Sequence, residues 1–328
     1  MTSKTAAIAL NAFRETVRQP FFCVVLSVAA AGIALSPSFA MFTMMENVRL
    51  VKDIGLSTML LAGLAVAVLS ASATISEELR GKTALMVVSR PVGRGRFVLG
   101  KYLGILCAQL AAVWLLTVVL LLTARVGVPE AAYSKLDTTV LWAELAAALA
   151  TLVTAAGANY FFGRSFPAAV VSAGLLFFSL CFIVFANVGE GMSAVPFFSG
   201  LDLNTLRGAA VLFMLIAVMT AVAVACSTRL ALVTTIIACA AVFVIGMLSD
   251  HLLGRFVHDA PVSALLSFVG RGAYWVVPNL QAFWMGNALS VDQHIPWSYV
   301  VSAGGYAALQ TAAALLVGAF LFEARELK

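Results

Sequence analysis

SEELRGKTALMVVSRPVGRGRFVLGKY, residues 76–102, is the most charged stretch of its length in the chain, and it lies between two apolar runs long enough to cross a bilayer. It carries Arg80, Lys82, Arg90, Arg94, Arg96 and Lys101 against Glu77 and Glu78. Elsewhere the 328-residue chain is poor in charge: 62% of it is hydrophobic and 11% charged, where a soluble domain carries about 25% charged residues. That much apolar surface cannot be enclosed in one water-soluble core. The expected fold is an all-α polytopic membrane protein, a single transmembrane domain over residues 1–328. The net charge of +5 is no sign of nucleic-acid binding, because the cations cluster in short loops as membrane topology requires.

Working outward, the run before this stretch (57–75) and the run after it (102–123) are two spans of about 20 residues, the length that crosses the hydrocarbon core. The first is rich in small residues, Ala62, Gly63, Ala65, Ala67, Ser70 and Ala71, which permit close helix packing in lipid. Six further spans are expected at 21–40, 139–162, 167–187, 209–227, 230–248 and 298–322, about eight in all. Ahead of them, 5–18 reads as an interfacial helix with Ala6, Leu10, Phe13 and Val17 on one face and Asn11, Arg14 and Arg18 on the other. Pro20 then turns the chain into the bilayer. No cleavable signal peptide is expected.

An even number of spans puts both termini on one side, and a six-span count does the same. That side would hold 13 Lys and Arg against 7 on the other, so the termini and the 76–101 segment are expected to be cytoplasmic. On the outer side, Glu46, Arg49, Lys52 and Asp53 form a short polar loop. Two longer segments, 188–205 and 249–297, carry Phe197, Phe198, Phe268, Tyr274, Trp275, Phe283, Trp284 and Trp297. Aromatics at this density suggest interfacial or re-entrant helices, or equally a packed outer cap.

Few side chains offer chemistry. Gly95 to Lys101 matches GxxxxGK, but Tyr102 stands where a phosphate loop needs Ser or Thr, no strand precedes it and a span follows at once. Nucleotide binding by this chain is not expected. Thr74-Ile75-Ser76-Glu77 can form a capping box that starts a short helix as the chain leaves the bilayer. Gly81 breaks that helix, and Pro91 and Gly93 turn the chain. Such an element, held between two spans, is suited to transmit a push; equally, it is a positive loop that fixes topology. Glu144, near the start of the fourth span, is expected to snorkel to the headgroups rather than serve a substrate or proton. Asn159, near the inner end of that span, is ambiguous. His251, His258 and His294, with Met41, Met44 and Met45, match no metal-ligand spacing. Cys23, Cys107, Cys181, Cys226 and Cys239 lie in apolar runs without CxxC pairing and read as packed or lipid-facing residues.

TISEELRGKTALMVVSRPVGRGRFVLGKYLG resembles the segment after the second span in permease subunits of ATP-binding-cassette transporters of the type 2 export class. That pattern runs from a Glu through Gly-Thr, an apolar pair, Ser-Arg-Pro and a basic turn to Gly-Lys; here Lys82 is inserted between Gly81 and Thr83. IALNAFRETVRQP resembles the family's amphipathic entry helix, and Pro278-Asn279-Leu280 with the final FEARELK its last outer loop and tail. The fourth and fifth spans look like an addition to a six-span core. The resemblance implies a transmembrane subunit of an ATP-driven exporter, multi-pass in the inner (plasma) membrane, that dimerises with a second permease copy, identical or related. A cytoplasmic ATPase dimer would supply ATP and Mg, leaving this chain without a cofactor or a catalytic residue. Glu77, Glu78, Arg80, Gly81, Thr83, Ser89, Arg90 and Pro91 would form the coupling helix, with Ser227-Thr228-Arg229 as a minor contact. Membrane lipid is the other partner. No motif names a substrate.

Two other classes compete. An ion-coupled secondary transporter or channel needs ionisable groups near mid-membrane, and the spans offer almost none. An integral membrane enzyme needs clustered His, Asp or Glu at one membrane face, and the three histidines are scattered.

Overall fold

The computed structural model describes residues 2–40, 47–76, 93–127, 137–189, 196, 202–253, 277–290 and 293–323. Among these residues the chain is helical, without a strand. In order the helices are α1 (Thr2–Arg18), α2 (Pro20–Ala34), α3 (Ser36–Ala40), α4 (Asn47–Ala71, prolonged by a π turn Ser72–Ser76), α5 (Arg94–Val126), α6 (Thr138–Phe162), α7 (Phe166–Ala186), α8 (Leu203–Ser227), α9 (Leu232–Leu253), α10 (Gly286–Ser290) and α11 (Trp297–Glu323), with a 3₁₀ turn Gln281–Phe283 before α10. Seven of the described helices are long and apolar enough to cross a membrane, and the bent pair formed by α1 and α2 brings the count to eight.

Local chemistry sets the helix ends. Pro20 opens α2, where its missing N–H costs nothing, and the chain bends by 63° between α1 and α2. Asp137 caps α6 by accepting from the Val140 amide at 3.4 Å. Gly163 ends α6 in the left-handed region, at φ 61°, a conformation that suits glycine. The Asn159 side-chain amide donates to the Arg164 carbonyl at 2.7 Å across this turn, so Asn159 belongs to the helix cap.

The bundle has two ends. Phe97 near the start of α5 stacks on Phe322 near the end of α11 at 5.8 Å, and Arg229 after α8 donates to the Leu321 carbonyl at 2.8 Å. These contacts mark the end from which 77–92 departs, the Ser76 end. At the other end, Lys52 of α4 pairs with Asp202 ahead of α8 at 2.9 Å, and Arg125 near the end of α5 donates to the Phe185 carbonyl of α7 at 2.6 Å.

Helices α5 and α8 are enclosed on most of their surface, whereas α6, α9 and α11 leave most of theirs outward. In lipid, small residues and hydrogen bonds hold helices together, because tails are as apolar as the side chains they replace. The seam of α4, α5 and α8 follows that rule. Ala62, Ala67 and Ala71 are buried, Gly63 lies against Ile216, and the Gln109 amide donates to the Gly63 carbonyl at 2.8 Å. The α6–α7 hairpin packs outside this core, against α5.

Several sequence expectations change. Helix α4 begins at Asn47 and α8 at Leu203 rather than near 57 and 209. Arg49, Lys52 and Asp53 are therefore on a helix, and Lys52 is buried. Helix α5 begins at Arg94 rather than 102. At Thr74, expected to open a capping box, the helix continues as a π turn and the Thr74 hydroxyl donates back to the Ser70 carbonyl at 2.7 Å; Glu77, the other member of that box, lies outside the described residues. The expected apolar face of α1 is buried only toward its C-terminal end. Ala12, Thr16 and Val17 are buried against the bundle, Ala6 and Leu10 are left outward, and Lys4, Asn11, Arg14 and Arg18 share the remaining polar side.

Candidate functional site

Of the expected coupling residues, Glu77, Glu78, Arg80, Gly81, Thr83, Ser89, Arg90 and Pro91 lie outside the described residues. Their two anchors are described. The chain enters from the π turn Ser72–Ser76, which packs on α8 and α9, and leaves through Gly93 into α5. The α8–α9 turn bearing Arg229 lies at the same end. Arg229 itself has local work, because its guanidinium ties that turn to the last turn of α11.

The GxxxxGK stretch is the start of α5 from its first glycine onward. It cradles α1. A Cβ at Gly100 would meet Ile8 at 2.7 Å, and one at Gly104 would press on the Ala9 carbonyl and lie 2.9 Å from the Phe13 amide. Lys101, between the two glycines, is only 2% exposed and reaches Glu15 of α1 at 3.1 Å. The lysine expected in the basic loop is instead the ionic clasp of the entry helix. The small-xxx-small spacing of Gly100 and Gly104 was the available signal for this seat.

The far end is held by charge and amides. Asp202 accepts from the Lys52 ammonium, the Thr205 hydroxyl at 2.8 Å and the Asn204 amide at 2.8 Å. Burial alone would raise its pKa; the Lys52 ammonium, the hydroxyl and the amide outweigh burial and hold the carboxyl below its ordinary value. Asn204 pairs both ways with the segment 293–296, donating to the Gln293 carbonyl and accepting from the Ile295 amide. Arg207 meets His294 at 2.7 Å and lies over the Trp297 ring at 5.1 Å. His294 is thus engaged by an arginine. Among the described residues no three His, Cys, Asp or Glu side chains converge on a metal position, while His258, Met41, Met44 and Met45 lie outside those residues.

The 249–297 segment, expected either as interfacial or re-entrant helices or as a packed outer cap, has buried side chains in its described part. Leu280, Phe283 and Leu289 are buried, and Phe283 stacks on Tyr306 at 5.8 Å. Phe268, Tyr274 and Trp275 lie outside the described residues. Glu144 also differs from expectation. It is 7% exposed and accepts from the Thr123 hydroxyl of α5 at 3.1 Å, so it faces protein rather than headgroups. A neighbouring helix with a hydroxyl at that height offers the carboxylate what water otherwise would.

Between α4, α8 and α9 runs an apolar groove of about 410 Å³, walled by Leu61, Val68, Met219, Ile236, Cys239 and Phe243. It was not legible in the sequence, because its walls come from three helices whose relative rotation no local pattern specifies.

A family model described as ABC-2 family transporter protein matches residues 21–235. No curated protein matches the chain. The matched range begins in α2, takes in both anchors of the 77–92 segment, and runs through α8 into the first turn of α9. With more than half the chain covered by that model and a bundle of membrane-crossing helices built around the matched part, the chain belongs to the ABC-2 family of transporter proteins, as a permease component in a multi-pass membrane setting.

Proposed function

We propose that this permease component is the transmembrane subunit of an ATP-driven exporter. It pairs with a second permease copy to form the pathway and takes its energy from a cytoplasmic pair of ABC ATPase subunits, which hold ATP and Mg. The chain itself is non-catalytic and binds no cofactor. It lies in the inner membrane, surrounded by lipid, with both termini cytoplasmic.

One observation carries the coupling assignment. The anchors of the 77–92 segment and the Arg229 turn lie at one end of the bundle, so a single docked body can touch both. A displacement of that segment acts at once on α4, which walls the groove, and on α5, which carries α1. ATP-driven closure of the motor pair would move these helices together, and Glu77, Glu78, Arg80, Gly81, Thr83, Ser89, Arg90 and Pro91 form the lever.

The test asks whether a neighbouring gene encodes a soluble ATPase with complete nucleotide motifs, and co-expresses that ATPase with this chain. Glu77→Arg or Arg90→Glu is expected to abolish co-purification and the vanadate-sensitive ATPase activity of the complex. Assembly and activity that survive both substitutions would defeat the coupling assignment.

A further inference from the structure

The turn that joins α6 to α7 carries Arg164 beside three aromatic rings that face outward. Tyr160, Phe161 and Phe162 are 84%, 76% and 77% exposed, more than any other large hydrophobic side chain among the described residues. Rings at the end of a span belong at the boundary between hydrocarbon and headgroups, and a tyrosine there keeps its hydroxyl wet. The turn itself is preset by Gly163 in the left-handed region and by the Asn159 bond to the Arg164 carbonyl. Helix α1 brings two more cations to the same height. Helices α5 and α7 run side by side: Ser179 accepts from the Trp114 indole at 2.9 Å and the Phe185 carbonyl from Arg125 at 2.6 Å. The first turn of α7 therefore lies near Gly104 of α5, where Ala9, Ala12 and Phe13 of α1 are seated, and α1 packs on α7. Arg14 and Arg18 follow that seat. They are exposed, one helical turn apart, on the side of α1 away from its buried Ala12, Thr16 and Val17. Glu15, next to Arg14, is engaged by Lys101. Among the described residues no carboxylate pairs with Arg14, Arg18 or Arg164.

We propose that Arg14, Arg18 and Arg164 hold the headgroup of one anionic phospholipid, with its tails along the outward face of α6. Charge complementarity selects the headgroup. A guanidinium fits a phosphate with two parallel hydrogen bonds, and three cations without a carboxylate favour a lipid of net negative charge over one whose ammonium cancels its phosphate. Depth selects the tails. The rings set the turn at the headgroup boundary, and Leu145, Leu149, Leu152 and Val153 of α6 face outward on the hydrocarbon side of it. The hairpin packs outside the core of α4, α5 and α8, so lipid, rather than a body docked beneath that core, meets this face. A lipid held here would bridge the entry helix to the hairpin. The site needs the membrane setting but not the coupling segment, so its failure leaves the lever untouched.

The experiment is native mass spectrometry of the full-length chain in mild detergent, offered phosphatidylglycerol and phosphatidylcholine with the same tails in equal amounts. The parent is expected to retain one phosphatidylglycerol, at least tenfold in preference to phosphatidylcholine. Each cation near an anionic headgroup strengthens binding roughly fivefold. Arg164→Gln should therefore cut the preference by about that factor, and Arg14→Gln/Arg18→Gln/Arg164→Gln should erase it. Equal retention of both lipids by the parent would overturn the proposal, as would a preference that survives the triple substitution. Displacement of the lipid by free glycerol phosphate would assign the cations to a soluble phosphate. A co-purified protein in place of lipid, lost with Arg164→Gln, would assign them to a protein partner. Either result overturns the lipid. If the triple variant fails to fold, Arg164→Gln alone decides, because Arg164 is exposed and its carbonyl, not its side chain, holds the turn: an unchanged preference excludes the site.

Discussion

Lys101 of α5 and Glu15 of α1 form an ion pair at 3.1 Å in which the lysine is buried and the carboxylate remains partly open to its surroundings. The pair is asymmetric, and so are the costs of breaking it. Removing Glu15 takes a carboxylate partner at 3.1 Å from a buried ammonium, at a cost of up to about 3 kcal/mol. Removing Lys101 leaves a carboxylate that can still be solvated, at well under that figure. Glu15→Ala is therefore expected to lower the melting temperature in detergent more than Lys101→Met does. Equal shifts would mean that the clasp is not buried as described.

The seat of α1 gives a second ordering. Gly104 faces the backbone of α1, and a Cβ there would strike the Ala9 carbonyl and lie 2.6 Å from Ala12 Cβ. A Cβ at Gly100 would lie 2.7 Å from Ile8 Cγ2, 2.9 Å from Ile8 Cβ and 3.3 Å from the Thr5 carbonyl, a looser overlap than that of Gly104 on the Ala9 carbonyl. Gly104→Ala should displace α1 and cost about 2 kcal/mol, within the usual range for overpacking, while Gly100→Ala costs less. Protease sensitivity of the N-terminal helix, compared across the two variants, checks this.

Asp202 offers a pH test. Its folded carboxyl lies below the ordinary value of 3.8. The stabilisation it supplies is fully present above that ordinary value and is lost as pH falls through the lowered one. Asn can still cap α8, so Asp202→Asn removes the charge and keeps the cap. The variant should melt lower than the parent at pH 7, by about 1 kcal/mol, less than the Glu15→Ala loss because the Asn oxygen can still accept from the buried Lys52 ammonium, and the two curves should converge in strong acid. A gap that persists unchanged into acid would assign the effect to packing.

Sidedness is checked directly. With the five native cysteines replaced, Thr83→Cys is expected to resist an impermeant maleimide on whole cells and to react in inverted vesicles. Labelling on whole cells would place the 77–92 segment outside and end the coupling proposal.

The chain's apolar periodicity and its islands of charge were enough to announce a helical membrane protein, the approximate number of crossings and the bend at Pro20, because helix and bilayer dimensions act on local sequence alone. The resemblance around residues 74–104 led to the family. Where each helix begins was less legible: charge normally marks a loop, yet Lys52 and Lys101 are within helices because Asp202 and Glu15 neutralise them from elsewhere in the chain. The same holds for Glu144 beside Thr123 and for the groove between α4, α8 and α9. Each depends on how one helix is rotated and shifted against another, and that is settled by close packing at positions such as Gly63 and Gly104, where a contact partner lies tens of residues away.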